Sequence, residues 1–143
     1  MKVHVDKNGI IVETDDFNLE HTLDCGQCFR FSMRPDGSWH GVAGNKPLTL
    51  RNMENGILFE NVSLEEFNSF WRVYFDLDRD YAEIRSQFPD HPALRNSTDF
   101  TYGVRILRQD AWEALISFII SQNNNVPRIK GIIDRLCRNF GEP

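Results

Sequence analysis

Long apolar runs are missing from this chain of 143 residues. A membrane helix needs about 18 or more apolar residues in succession. The longest apolar segment, Leu115 to Ile120, is short and is broken by Ser117. The N-terminus, Met1-Lys2-Val3-His4-Val5-Asp6, lacks the apolar stretch of a secretory signal. Cysteine is scarce as well. Cys25, Cys28 and Cys137 are an odd, small number, which argues against a disulfide framework. Reduced thiols, a cytoplasmic location and no membrane association are the expectation. There is no internal repeat and no low-complexity segment.

Positive charge is also in short supply. The formal net charge is −5, which taken whole argues against a polyanionic partner. The distribution is uneven. Residues 1–102 hold 10 Lys+Arg and 17 Asp+Glu, whereas residues 103–138 hold six basic and three acidic side chains. Salt screens charges beyond about 10 Å, so the local sign decides a phosphate contact. Charge alone leaves open both an ordinary helical surface and a DNA-facing one.

What is present begins with turn signals. Lys7-Asn8-Gly9 lies between Val3–Val5 and Ile10–Val12. Asn-Gly tolerates the positive φ of a tight hairpin turn. Pro35-Asp36-Gly37, Gly44-Asn45 and Asn55-Gly56 follow, separated by short apolar or aromatic runs. Such regular punctuation predicts an antiparallel sheet, with Phe29, Phe31 and Met33 on one buried face at a period of two.

At Ser63 the period changes. Ser63-Leu64-Glu65-Glu66 has the form of a capping box. Leu64, Phe67, Phe70, Trp71 and Tyr74 recur at helical spacing. A short helix is predicted from about Asp80 to Gln87, broken by Pro89 and Pro92. Asp110 caps a further helix whose apolar residues point all round the axis, which predicts burial on most sides. The last helix carries Ile129, Ile132, Ile133, Leu136, Cys137 and Phe140, with Pro127 in its first turn and Gly141 at its end. Strands followed by helices read as an α+β fold. The division falls into residues 1–102, a sheet domain with flanking helices, and 103–143, the start of a helical domain. The chain ends at Gly141-Glu142-Pro143 without a finishing element, which reads as a truncation.

Two segments carry potential chemistry. Ser121-Gln122-Asn123-Asn124-Asn125 joins two helices. One reading is structural, with Asn125 capping the last helix and the others filling the loop. The other is that the amides reach a nucleobase edge, since Asn donates and accepts together. Arg128 lies one turn further on. The second segment is Asp24-Cys25-Gly26-Gln27-Cys28-Phe29-Arg30. Cys25 and Cys28, with His21 upstream, have metal-like spacing, but a zinc site wants a second cluster. A redox dithiol and a pair of inert thiols flanking a turn are the other readings. Gly26 is the informative residue, because a glycine lets another group approach the backbone closely.

Five segments then combine. Asp24–Arg30, Tyr74-Phe75-Asp76-Leu77-Asp78, Gly103–Asp110, Ser117–Asn125 and Arg128-Ile129, in that order, resemble the 8-oxoguanine DNA glycosylase family. The resemblance spans essentially the whole chain. It implies an N-terminal antiparallel domain, shaped like half of the TATA-binding protein, followed by helices of a glycosylase domain. It implies base-excision repair: a DNA N-glycosylase/AP lyase flips an oxidised guanine, opposite cytosine, out of the duplex and cuts its glycosidic bond. The glycine matching Gly26 offers its carbonyl to the ring N–H that oxidation creates. That contact discriminates against guanine by about 1–3 kcal/mol, the cost of an unpaired buried polar group. The residues matching Asn123 and Arg128 contact the orphaned cytosine, and Asn124 and Phe118 match positions near the base pocket. Double-stranded DNA is the implied partner, the protein is expected to be a monomer, and no cofactor or metal is expected.

The resemblance also implies a catalytic lysine and an aspartate in a helix–hairpin–helix segment, and no residue here matches either. Lys130 reads as a surface residue. The implied catalytic set is therefore empty in these 143 residues. Cys25 and Cys28 acquire no role, and Gln122 stands where a smaller residue is common in animal members, which fits a bacterial one. Two other functions stay open: a damaged-DNA-binding module without catalysis, and a helix–turn–helix regulator, whose recognition helix would need base-reading residues that the Pro127, Gly131 and apolar stripe largely displace.

Overall fold

The computed structural model describes residues 1–88 and 91–141. Its first half is one antiparallel sheet of six strands: β1 (Lys2–Asp6), β2 (Gly9–Glu13), β3 (Phe31–Met33), β4 (Trp39–Ala43), β5 (Lys46–Met53) and β6 (Gly56–Glu60). Their spatial order is β1-β2-β6-β5-β4-β3. Each predicted turn closes a hairpin. Asp6 pairs with Gly9, Ala43 with Lys46 and Met53 with Gly56, so each of these connections is two residues long. The segment that holds Gly26 carries the chain from β2 to β3 at the far edge, and β6 returns to pair with β2 and completes the sheet.

Alternation puts one face of the sheet inside. Ile10, Val12, Phe31, Trp39, Leu48, Leu50 and Phe59 are buried. They meet Leu19 and Leu23 of α1 (Leu19–Leu23) and Phe67, Trp71 and Tyr74 of the helical stretch after Ser63. That stretch is α2 (Leu64–Glu66), a π turn (Phe67–Trp71) and α3 (Arg72–Tyr74) in succession. The Ser63 hydroxyl accepts from the Glu66 N–H at 3.1 Å, as the capping box predicts. The Glu66 carboxylate does not return to Ser63. It accepts from Trp71 Nε1 at 3.0 Å and so serves a buried indole that needs an acceptor.

Four expectations are corrected. Phe29 precedes β3 and packs away from the sheet core, in a separate cluster with Ile129 and Ile133. The chain bends at residues 29–30, which takes Phe29 out of the period-two pattern. Met33 is 64% exposed at the end of the edge strand β3, where it lines an open cleft. Pro92 does not stop a helix. After α4 (Tyr81–Ser86), it starts α5 (Pro92–Phe100), where its missing N–H costs nothing in the first turn. Pro89, Glu142 and Pro143 lie outside the described residues.

The fourth correction concerns α6 (Ala111–Ser121) and α7 (Val126–Phe140). Asp110 caps α6 by accepting from the Trp112 and Glu113 N–H groups, both at 2.9 Å. Burial on most sides fails. Trp112 is 70% and Phe118 64% exposed, and Leu115 and Ile119 are also open to solvent. The helix rests on α7 and on the sheet domain along one side, near Ser117 and Ile120, and nothing in the described chain covers the other. The stripe on α7 splits likewise: Ile129 and Ile133 are buried, whereas Leu136 and Phe140 are exposed. Among the described residues no helix is long and apolar enough to cross a membrane.

Candidate nucleic-acid interface

Gly26 lies in an exposed turn between α1 and β3, with φ +87°, a conformation that glycine adopts at little cost. A Cβ built there would meet no atom within 4 Å. The glycine therefore answers to backbone conformation and open approach, not to packing. Among the described residues, its N–H and C=O have no hydrogen-bond partner. Around it the chain is fully engaged. Cys28 is buried, and that burial, with Cys25 close by, pushes its thiol up to about 12. Such a thiol is a small apolar residue and a poor nucleophile at neutral pH. Cys25 is exposed. Among the described residues no group of three or more His, Cys, Asp or Glu is placed to hold a metal ion.

The loop 122–125 sits between α6 and α7, and the three asparagines divide their work. The Asn125 side chain accepts from the Arg128 N–H at 3.0 Å and caps α7. Asn124 Nδ2 donates to the Ile120 carbonyl at 2.7 Å and closes the end of α6. Asn123 is left with φ +56° and an exposed side chain that bonds to no described residue. Arg128 is exposed too, and its guanidinium has no partner among the described residues. Phe118 stands on the uncovered side of α6, and Gln122 Nε2 donates to its carbonyl at 3.1 Å. Asn125 and Asn124 thus hold the two helix ends, as the structural reading has it for Asn125, and Asn123 keeps its side chain unbonded among the described residues.

The two segments meet. Phe29, three residues after Gly26, packs on Ile129 and Ile133, with Ile120 and Val126 against the same cluster. Lys130 Nζ lies 2.6 Å from Asp24 Oδ1, two residues before Gly26. Lys130, expected at the surface, is half-buried in this ion pair. Arg30 and Glu113 form a third link at 3.6 Å, and burial raises the Glu113 carboxyl, an effect that Arg30 opposes. A cleft of about 470 Å³, lined by Arg30, Asn45, Glu113, Ile120, Ile133 and Cys137, runs along this junction. A cleft of about 550 Å³ elsewhere is walled by Asp15, Glu20 and Glu54 and contains none of the predicted residues. Its acidic wall is wrong for phosphate.

The basic surplus over 103–138 shrinks on inspection. Arg105 is 3% exposed and spends its guanidinium on main-chain carbonyls. Arg108 pairs with Asp76, Lys130 with Asp24 and Arg138 with Asp134. Among the described residues, Arg128 and Arg135 are the members of the six without a side-chain partner. Sequence reasoning missed Gln27, Thr22 and Gln109, which bind the Gly26 loop to residues 103–109. Bonds between segments about 80 residues apart leave no local signal.

Comparison with known proteins places this geometry. The profile described as "8-oxoguanine DNA glycosylase, N-terminal domain" matches residues 9–115. An N-glycosylase/DNA lyase of Saccharomyces cerevisiae is 59% identical over 81 residues, covering 57% of this chain and 17% of that protein. In structure, the chain is similar to MBOgg1 in complex with low-affinity DNA ligand, with TM-score 0.91 and 42% identity over all of this chain and 50% of the other. It is also similar to the Clostridium acetobutylicum 8-oxoguanine glycosylase/lyase, solved both in its apo form and with double-stranded DNA containing cytosine opposite 8-oxoguanine. These matches have TM-scores of 0.92 and 0.91, each at 39% identity over 99% of this chain, and cover 50% and 49% of the other chains. The chain thus spans about half the length of these solved relatives. With the profile matched over most of its length and its sheet and helices superposing on theirs, the chain belongs to the 8-oxoguanine DNA glycosylase family.

Proposed function

We propose that this chain supplies the lesion- and cytosine-reading part of a base-excision DNA N-glycosylase/AP lyase acting on 8-oxoguanine opposite cytosine in double-stranded DNA. The observation that carries the reading is the junction. The segment that holds Gly26, an open turn whose carbonyl has no partner among the described residues, packs through Phe29 and pairs through Asp24 with the first turns of α7, the helix that follows Asn123 and bears Arg128; the side chains of Asn123 and Arg128 bond to no described residue. In the proposed complex the Gly26 carbonyl accepts from the N–H that oxidation adds to the flipped base. Guanine presents an acceptor there and is repelled. Asn123 enters the vacated space, Arg128 donates to the orphaned cytosine, and Phe118 and Asn124 border the base. Arginine suits a cytosine because its donors meet the ring's acceptors without needing a proton in return.

Residues 1–102 serve as the sheet domain and 103–143 as the beginning of the helical domain. None of these 143 residues takes the bond-cleaving role: Lys130, the lysine nearest the junction, is occupied by Asp24. No cofactor is required, and a monomer suffices. The deciding experiment replaces Gly26 by alanine in the gene's full-length product and compares affinity for 8-oxoG:C and G:C duplexes by fluorescence anisotropy. The preference for the lesion should fall by about tenfold, the factor that about 1.4 kcal/mol represents. An unchanged preference removes Gly26 from the reading.

A further inference from the structure

The turn that carries Gly26 is not held by Gly26. Its neighbour makes the attachments. Gln27 Nε2 donates to the carbonyls of Thr22 at 2.9 Å and Arg105 at 2.8 Å, and Gln27 Oε1 accepts from the Leu107 N–H at 3.0 Å. The main-chain carbonyl of Gln27 accepts in turn from Gln109 Nε2 at 2.5 Å. Thr22 Oγ1 accepts from the Arg105 N–H at 3.1 Å, which fastens the same two stretches a second time. A primary amide donates twice and accepts at once, and neither a carboxylate nor an ammonium can make that set. The stretch 103–109 has no regular structure of its own and runs directly into Asp110, the cap of α6.

We infer that Gln27 and Gln109 are positioning residues for lesion discrimination. The Gly26 carbonyl and the Gln27 nitrogen belong to one rigid peptide plane. Fixing Gln27 by its side chain and by its own carbonyl fixes that plane, on a glycine that would otherwise rotate freely. Direction matters because a hydrogen bond weakens steeply as its angle closes toward about 120°. The clasp also joins the carbonyl to the start of α6, the first helix of the pair bearing Asn123 and Arg128, so both readers keep one frame. This inference rests on the role proposed above for Gly26.

The test measures the lesion preference, the ratio of Kd for G:C to Kd for 8-oxoG:C duplex, in the full-length product. Gln27→Ala should lower it by about tenfold and Gln109→Ala by about twofold, the free energy scaling with the three side-chain hydrogen bonds lost in the first and the one lost in the second. Gln27→Glu keeps the acceptor for Leu107 but sets a carboxylate against two carbonyls, so it should not restore the ratio. A purely structural role would lower the thermal midpoint and weaken both duplexes equally, and that result overturns the inference. If Gln27→Ala does not fold, Gln109→Ala decides by the same ratio, since it removes a single bond. Gly26→Ala separates the two claims. If it lowers the ratio while both glutamine variants leave it intact, the clasp is wrong and the lesion reading stands. If it leaves the ratio intact, the lesion reading falls and the clasp with it.

Discussion

Lys130 Nζ and Asp24 Oδ1, 106 residues apart in sequence, lie 2.6 Å from each other and tie α7 to the Gly26 loop. A lysine used as a nucleophile must have its amine free to reach its substrate, and the Lys130 amine is held by the Asp24 carboxylate. The 143-residue chain should therefore give no borohydride-trapped adduct with 8-oxoG:C duplex. A trapped adduct that disappears in Lys130→Met would overturn the assignment. Because both groups are partly exposed, Lys130→Met should cost only about 0.5–1 kcal/mol of stability after screening.

Arg128 is exposed and its guanidinium has no partner among the described residues, so its removal should cost the fold little. Arg128→Ala in the full-length product should flatten the ranking of cytosine over the other three opposing bases, by about 1–3 kcal/mol for cytosine. The rival outcome is equally measurable. If Arg128 contacts a phosphate, all four duplexes weaken alike, and the slope of log K against log salt changes by about 1.

Cys28 gives an alkaline signature. Burial first, then the neighbouring Cys25, raises its folded pKa from 9.0 to about 12. The unfolded chain therefore loses this proton first. The stabilisation is complete below pH 9 and is lost as pH rises from 9 toward 12. Tyr74, raised by burial, adds to the same trend at higher pH. The thermal midpoint of the wild type should fall as pH passes 9, and Cys28→Ala should fall less steeply. In the folded protein a thiol reagent should titrate exposed Cys25 and Cys137 rapidly and Cys28 only on unfolding. Equal rates for all three would contradict the burial.

How far the chain could be read from its letters depended on the range of the interaction. The hairpins at Asn8-Gly9 and Asn55-Gly56 and the caps at Ser63 and Asp110 were legible because each is settled within four residues. Pro92 was ambiguous, because proline ends one helix for the same reason that it starts another. The apolar residues of α6 announce a need for burial, but a period cannot say what meets it, and here Trp112, Leu115, Phe118 and Ile119 stay open. The site divides the same way. Gly26 and the asparagine run stood out locally, whereas the clasp of Gln27 and Gln109 depends on segments that folding brings together.

Arg105 is the clearest case of a charge that sequence reading misplaces, and it yields a stability prediction. Its Nε donates to the Asp16 carbonyl at 2.8 Å and its Nη1 to the Arg79 carbonyl at 3.1 Å, and its guanidinium lies 4.6 Å from the Tyr81 ring centre. Asp16 also offers its carboxylate at 3.9 Å. A flat fork of five donors reaches these groups from one buried position, which a lysine ammonium cannot imitate. Arg105→Ala leaves the carbonyls of Asp16 and Arg79 without this donor and should cost about 3–5 kcal/mol. Arg105→Lys should recover less than half of that. Calorimetry measures the loss. A residue that read DNA would instead lose affinity with its thermal midpoint unchanged, so an unshifted midpoint in Arg105→Ala would return this arginine to the DNA-facing surface from which its burial removes it.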